Sequence, residues 1–161
     1  MKKEGETCRR VAGEIDGQCF ILEDLKNCEV TLCDHSDQVT ADNLDSCRIF
    51  VGASSESVFI RDCVNCEFTI ACKQLRTRDC TNCVVHLYSK TEPIIETSSG
   101  MTFRCFNGAY AEHGDHMRKA NLPAETNLWF AIFDFNDEAK TGKNWSLEDP
   151  GQQQLTYWRQ K

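Results

Sequence analysis

A short phrase that recurs four times constrains the fold of this chain more than any other feature. Each copy has Asp or Asn, then Leu or Cys, one further residue, and Asn or Ser followed by Cys; the copies end at Cys28, Cys47, Cys66 and Cys83. These cysteines are 19, 19 and 17 residues apart. A period this short leaves no room for a pair of helices, so it indicates a stack of short coils.

Apolar residues alternate with polar ones on both sides of the phrase. Before it, one position is shared by Phe20, Val39, Val58 and Leu75, and another by Leu22, Ala41, Ile60 and Thr77. After it, the shared positions are Val30, Ile49, Phe68 and Val85, then Leu32, Val51, Ile70 and Leu87. Alternation with a period of two is typical of strands with one buried face. The sequence therefore predicts an all-β fold, a parallel β-helix whose interior consists of these columns.

The spacing of the cysteines also resembles a zinc site. Cys63 and Cys66 are followed after 13 residues by Cys80 and Cys83, as in a zinc ribbon. The earlier copies, however, have Leu25 where the later ones have Cys63, so the position behaves as a small buried hydrophobe. We predict structural thiols and no metal. Disulfides are not expected from eleven cysteines, an odd number, without a signal peptide; only Cys8 and Cys33 cannot be assigned to the core.

Composition bounds the possible functions. At 161 residues the chain is expected to form one domain, and no apolar run approaches the roughly 18 residues that span a bilayer. A net charge of −7 argues against a general nucleic-acid binder. Met1-Lys2 lacks the Gly needed for N-myristoylation. We expect a cytoplasmic monomer without a cofactor, without nucleic acid as a partner and without direct insertion into membranes.

The ends of the chain differ from the repeats. Residues 1–10 are expected to be a flexible lead-in, 11–148 the β-helix domain and 149–161 a polar C-terminal tail, with a partial coil around Val11 and Ile15. Segments 93–96 and 101–103 indicate a fifth, irregular coil. Residues 109–121 have the composition of a helix that stops before Pro123, and 128–135 read as an aromatic strand that caps the stack.

The outward-facing positions are where a function would lie. One outward row contains Ile21, Thr40, Phe59 and Arg76, and the next contains Glu23, Asp42, Arg61 and Arg78. Neighbouring coils are about 4.8 Å apart, so three arginines should cluster on one face, with Gln74 beside them and Glu96 next to Arg78. Exposed arginines are often only solvated or weakly paired, so this clustering alone leaves a purely structural role open.

Residues 69–80 resemble the central motif of the tubulin-binding cofactor C domain family. The likeness extends over about residues 11–148, through segments 18–22, 33–36, 57–59, 93–99 and 144–146 with Gly52, and these are most similar to the retinitis pigmentosa 2 branch. The resemblance implies a right-handed parallel β-helix. It also implies a GTPase-activating protein whose arginine finger enters the nucleotide site of an Arf-like small GTPase in ciliary or flagellar traffic.

Carried over by motif, Arg76 is the implied finger. Arg78 and Glu96 would support it or contact the GTPase, and Phe135 matches an aromatic at the partner surface of the retinitis branch. Lys73, Gln74 and Arg61 complete the set of partner-binding residues. The family usually has Gln three residues before the finger, where this chain has Lys73.

Other functions stay open at this stage. The same finger would suit a tubulin-folding cofactor acting on the GTP of tubulin. A non-catalytic cytoskeletal module, like the actin-binding domain of cyclase-associated proteins, has the coils without the finger, and Arg76 argues against it. The retinitis branch begins Met-Gly-Cys and carries a second domain, so we expect either a trimmed chain or a shorter homologue without its own anchor.

Overall fold

The computed structural model describes residues 3–148. The predicted parallel β-helix is confirmed, because every strand pair in this part of the chain is parallel and neighbouring coils are joined in one twelve-stranded sheet. The strands are β1 Lys3–Glu4, β2 Thr7–Arg10, β3 Phe20–Lys26, β4 Glu29–Ser36, β5 Val39–Asp45, β6 Arg48–Arg61, β7 Glu67–Arg78, β8 Val84–Ser89, β9 Ile94–Glu96, β10 Met101–Cys105, β11 Phe133–Asp134 and β12 Trp145–Leu147.

The stack has two main faces. On the first, β3, β5, the second half of β6, the second half of β7, β9 and β11 follow one another. On the second, β2, β4, the first halves of β6 and β7, β8, β10 and β12 do the same. The predicted columns lie in register between these faces and form the core. Val39, Leu75 and Leu87 are each completely buried.

The recurring phrase builds the corner between the two faces. Its first residue has a φ of 53–59° and its fourth a φ of 53–56°, as seen at Asp62 and Asn65. Asn and Asp tolerate this left-handed region better than most other non-glycine residues. In the fifth coil Thr97 and Gly100 take the same two places, with φ of 46° and 65°. The repeated Asp, Asn and Ser residues therefore mark the two positions of each corner at which the backbone has a positive φ.

The cysteine of each phrase closes the same corner. Cys28, Cys47, Cys66 and Cys83 are at most 4% exposed and form the predicted buried column. Each thiol lies 3.3–3.6 Å from the carbonyl oxygen two residues earlier. The S–H group is a weak donor, and it satisfies a backbone carbonyl inside the corner. Cys33 is also buried, beneath Phe50 and Tyr110, whereas Cys19 is exposed.

The ends of the chain depart from the predictions. Residues 3–10 contain β1 and β2, which pair with β3 and β4. Ile15 is buried, but Val11 is 44% exposed. The tail at 149–161 lies outside the described residues.

The helix is shorter than expected and spans His113–Lys119 as α1. The predicted aromatic strand over 128–135 is wrong for most of its length, because within it only Phe133–Asp134 forms a strand, β11, which pairs in parallel with β9. Ala131 N bonds Leu128 O at 3.0 Å, so the preceding residues form a turn.

One buried carboxylate fastens the N-terminal loop and α1 to the stack. Asp34 is 1% exposed, and its Oδ2 accepts backbone N–H groups of Gly13, Ile15 and Asp16 at 2.8–3.0 Å. Its Oδ1 lies 3.4 Å from His116 Nε2. The His116 ring in turn lies 2.7 Å from the Tyr110 hydroxyl through Nδ1. A single side chain thus connects two segments that lie outside the coils.

Candidate functional site

The first face of the stack carries the predicted rows in register. Phe59 pairs with Arg76, and Arg76 with Ile94. In the next row Arg61 pairs with Arg78, and Arg78 with Glu96. The fold therefore brings Arg61, Arg76, Arg78 and Glu96 together; we call these four residues with Phe59 the arginine face.

The two residues that flank Arg76 in β7 are buried in the core. Leu75 is completely buried and Thr77 is 2% exposed, and the Thr77 hydroxyl lies 3.0 Å from that of Ser98 in the next coil. The alternation of a strand then directs the Arg76 side chain outward, where it is exposed. Among residues 3–148 the Arg76 guanidinium has no hydrogen bond or ion pair. It is a charge on a rigid strand that is free to meet an external anion.

The two neighbouring arginines are paired. Arg78 Nη2 lies 3.7 Å from Glu96 Oε2, and Arg61 Nη2 lies 2.9 Å from Asp42 Oδ2. The hydrogen bond and the charge of Asp42 raise the pKa of Arg61 above its usual value. Both guanidiniums also approach the ring of Phe59, at 5.9 and 6.0 Å from its centroid, which is within cation–π range. Phe59 and the carboxylates thus fix Arg61 and Arg78 in the row next to Arg76.

Lys73 and Gln74 lie where β7 bends between the two faces. Gln74 pairs with Ser57 and is partly buried at the start of the arginine face. Lys73 is exposed at the bend, with Nζ 3.9 Å from Glu56 Oε1. Lys73 therefore lies at the bend of β7, whereas Gln74 adjoins the arginine face.

Aromatic side chains extend the arginine face toward the C-terminal end of the stack. Phe133 pairs with Ile94 and is 47% exposed, and Phe135, whose N–H donates to the carbonyl of Ile95 at 2.8 Å, is 61% exposed. A groove of about 480 Å³ adjoins both rings and is also lined by Ile132 and Trp145. Sequence reasoning selected Phe135 but missed Phe133 as a member of the Arg76 row.

Neither a metal site nor a membrane-spanning helix stands out in the described part of the chain. Residues 3–148 hold no group of three or more His, Cys, Asp or Glu side chains arranged to bind a metal ion. No helix in the same range is long and apolar enough to cross a bilayer. The arginine face itself offers the exposed guanidinium of Arg76, with ion pairs and aromatic rings around it.

Comparison with known proteins agrees with this fold. The solved structure of tubulin binding cofactor C from Leishmania major superposes with a TM-score of 0.68 at 21% identity, covering 94% of this chain and 93% of that one. At this identity the likeness concerns the fold alone.

Curated relatives share more of the sequence. Protein XRP2 of Danio rerio is 42% identical over 144 residues, 89% of this chain and 38% of the relative, and XRP2 of Homo sapiens is 42% identical over 142 residues, 88% and 40%. Tubulin-specific chaperone C of Homo sapiens is 29% identical over 146 residues, 89% and 42%. The chain thus spans about two-fifths of the length of these relatives.

The family model for tubulin binding cofactor C matches residues 17–135, which include β3 to β11 and the whole arginine face. The expected likeness to the retinitis pigmentosa 2 branch is confirmed by the higher identity to XRP2 than to chaperone C. This chain belongs to the tubulin binding cofactor C family.

Proposed function

We propose that this chain is a GTPase-activating module that supplies Arg76 in trans to the nucleotide site of a GTP-bound Arf-like small GTPase. The observation that carries the proposal is the free guanidinium of Arg76. Of the three arginines on the face, Arg61 and Arg78 have carboxylate partners, whereas Arg76 has none within residues 3–148. Arg76 can therefore approach a phosphate without first breaking an ion pair.

The chemistry of GTP hydrolysis suits this residue. Negative charge accumulates on the oxygens of the transferring phosphoryl group, and an arginine supplied in trans raises the rate by about 10³–10⁵. The planar guanidinium can donate to two oxygens at once. Because Leu75 and Thr77 anchor the strand on either side of Arg76, the charge is already positioned and little reorganisation is needed at the moment of reaction.

The surrounding residues have supporting roles in this proposal. Arg78 and Arg61, each held by a carboxylate, present fixed positive charge to the GTPase, and Glu96 orients Arg78. Phe135 and Phe133 supply exposed aromatic surface, the type of residue that anchors protein interfaces. Lys73 and Gln74 contact the partner at the bend of β7. In this proposal the module acts in the cytoplasm at the base of a cilium or flagellum, a location that the resemblance to the retinitis branch supports.

A second candidate is activation of GTP hydrolysis on tubulin. It is supported by the 29% identity to tubulin-specific chaperone C and by the description of the family model. The same Arg76 would act on the same nucleotide chemistry, so only the partner differs.

The test is single-turnover hydrolysis of GTP by a panel of Arf-like GTPases and by αβ-tubulin, with and without this chain. We expect at least about 10³-fold stimulation of one Arf-like member. Stimulation of tubulin alone would replace the first candidate by the second. If no GTPase that binds the chain is stimulated, the proposal is wrong.

A further inference from the structure

Three lysines, Lys73, Lys90 and Lys119, line a pocket of about 200 Å³ near the bend of β7. Lys73 and Lys90 occupy adjacent coils, since Lys90 N bonds Cys72 O at 3.1 Å and Thr91 N bonds Lys73 O at 2.9 Å. Lys119 is the last residue of α1. We call this feature the lysine pocket.

The lysine pocket has more positive charge than its own side chains neutralise. Among residues 3–148, Glu56 is the one carboxylate in its lining, with Oε1 3.9 Å from Lys73 Nζ. Lys90 Nζ donates to a neutral group, the carbonyl of Asn121, at 3.0 Å. No carboxylate of residues 3–148 forms an ion pair with Lys119. Three lysines therefore line the pocket with a single carboxylate among residues 3–148, on a protein whose net charge is −7.

An arrangement of this kind is complementary to a compact dianion. Ammonium groups on adjacent coils repel one another, and an anion between them adds attractions that outweigh this repulsion. Lysine is a frequent phosphate ligand that acts as a point charge with three donors. A volume of about 200 Å³ holds one phosphate group with several waters, since each water of the liquid occupies about 30 Å³.

We propose that the lysine pocket binds a phosphate-bearing anion, in a site that does not include Arg76 and that shares only Lys73 with the proposed GTPase interface. Lys73, Lys90 and Lys119 donate to the phosphate oxygens, and the Ser55 hydroxyl lines the same pocket. Glu56 opposes binding, because its carboxylate partly neutralises Lys73. Removal of the Glu56 charge should therefore strengthen binding of the anion.

The test is titration of the full chain with pyrophosphate at constant ionic strength, followed by the backbone amide resonances. We expect saturable shifts centred on residues 55–56, 73, 90 and 119–121. Lys90→Gln/Lys119→Gln should weaken binding at least about tenfold, because two of the three positive charges are lost. Glu56→Gln should tighten it. Neither variant changes Arg76 or its row, and Lys73 is left intact because of its place in the proposed GTPase interface.

The matched control is Lys26→Gln/Lys143→Gln, which removes the same charge far from the pocket in sequence and outside its lining. This control should keep the parent affinity. Equal weakening in both double variants, or shifts spread over all lysines, would overturn the proposal, since binding would then follow net charge alone. Binding of a polyglutamate peptide without binding of pyrophosphate would also overturn it.

Vesicles identify the source of the phosphate. Phosphatidylcholine vesicles with a minor fraction of phosphatidylinositol bisphosphate are sedimented with the chain, with and without pyrophosphate. Binding that pyrophosphate displaces and that Lys90→Gln/Lys119→Gln abolishes supports the site with a lipid headgroup as its ligand. Pyrophosphate binding without vesicle binding supports it with a soluble phosphate. Vesicle binding that the double variant leaves unchanged, without pyrophosphate binding, contradicts it.

Discussion

Arg78 and Glu96 face each other across adjacent coils, with Arg78 Nη2 3.7 Å from Glu96 Oε2. Glu96 thereby directs one guanidinium toward the ring of Phe59 and leaves the neighbouring Arg76 unpaired within the described residues. The two arginines differ by two positions in one strand, yet only one of them is engaged. The assignment of Arg76 as the finger depends on this difference.

Replacement of Glu96 by Gln tests the role of this pair. The ion pair is partly exposed, so the free energy of unfolding should fall by less than about 1 kcal/mol. Stimulated GTP hydrolysis should fall more, about tenfold, because an untethered Arg78 no longer holds its position beside Arg76. Urea unfolding and single-turnover hydrolysis measure the two effects.

Asp42→Asn is the matched control, because it frees Arg61 in the same row, two coils from Glu96. It causes the same change in charge and should lower hydrolysis by less than about threefold. A loss equal to that of Glu96→Gln would show that net charge, and not the position of Arg78, controls the rate.

Arg76→Ala should separate stability from activity. The side chain is exposed and unpaired within residues 3–148, so the free energy of unfolding should change by less than about 0.5 kcal/mol. Stimulated hydrolysis should fall by at least about 100-fold, while binding to the GTP-loaded partner weakens far less. Arg76→Lys should recover little, because a single ammonium cannot reproduce the planar fork. Parent-like hydrolysis by Arg76→Ala with a partner that binds would transfer the role to Arg78 or Arg61.

The sequence predicts the stack well because two periods coincide in it. The alternation at Val58 and Ile60 identifies the buried face, and the distance from Val58 to Leu75 identifies the next coil. The pairing of Arg78 with Glu96 follows from extending the same coil period to the fifth coil. The corner phrase carries a third signal, since Asn65 marks a position with positive φ.

Features outside the repeats could not be predicted in this way. Phe133 lies in the Arg76 row through its pairing with β9, but a long segment separates it from β10 in the chain. The residues around Phe133 do not indicate that it pairs with β9. In the sequence, Asp34 is simply a polar residue within a strand. In the structure its carboxylate accepts backbone hydrogen bonds from the loop at 13–16, which is 18–21 residues away in the chain. The lysine pocket draws on three successive coils and a helix. These contacts have no shared period, so composition and spacing do not reveal them.

The buried thiols should react slowly. Eight of the eleven cysteines are buried, Cys8 and Cys105 are partly buried, and Cys19 is exposed. Burial shields these eight thiols from a disulfide reagent, and at Cys72 it also raises the pKa, which reduces the thiolate that the reagent needs. An aromatic disulfide reagent should therefore titrate at most three thiols quickly in native protein, and the remainder only after unfolding. Fast reaction of clearly more than three would contradict the burial of the column.

Asp34 should make stability depend on pH below about pH 5. Burial alone would raise its pKa, but the N–H groups of Asp16, Ile15 and His35, with the charge of His116, outweigh it and hold the pKa below its usual value. A depressed pKa gives stability that is present above the unfolded value of about 3.9 and is lost as pH falls through the folded value.

Asp34→Asn should therefore lower the free energy of unfolding by about 2–3 kcal/mol at pH 7, because an amide cannot accept all of these hydrogen bonds. The difference from the parent should shrink well below pH 3.9, where the parent carboxyl is itself protonated. Urea unfolding at a series of pH values measures both quantities. Asp115→Asn, which changes an exposed carboxylate paired with Arg118, is the control and should shift stability by less than about 0.5 kcal/mol. A difference between Asp34→Asn and the parent that stays constant with pH would mean that shape, and not the charge of Asp34, fastens the N-terminal loop to the stack.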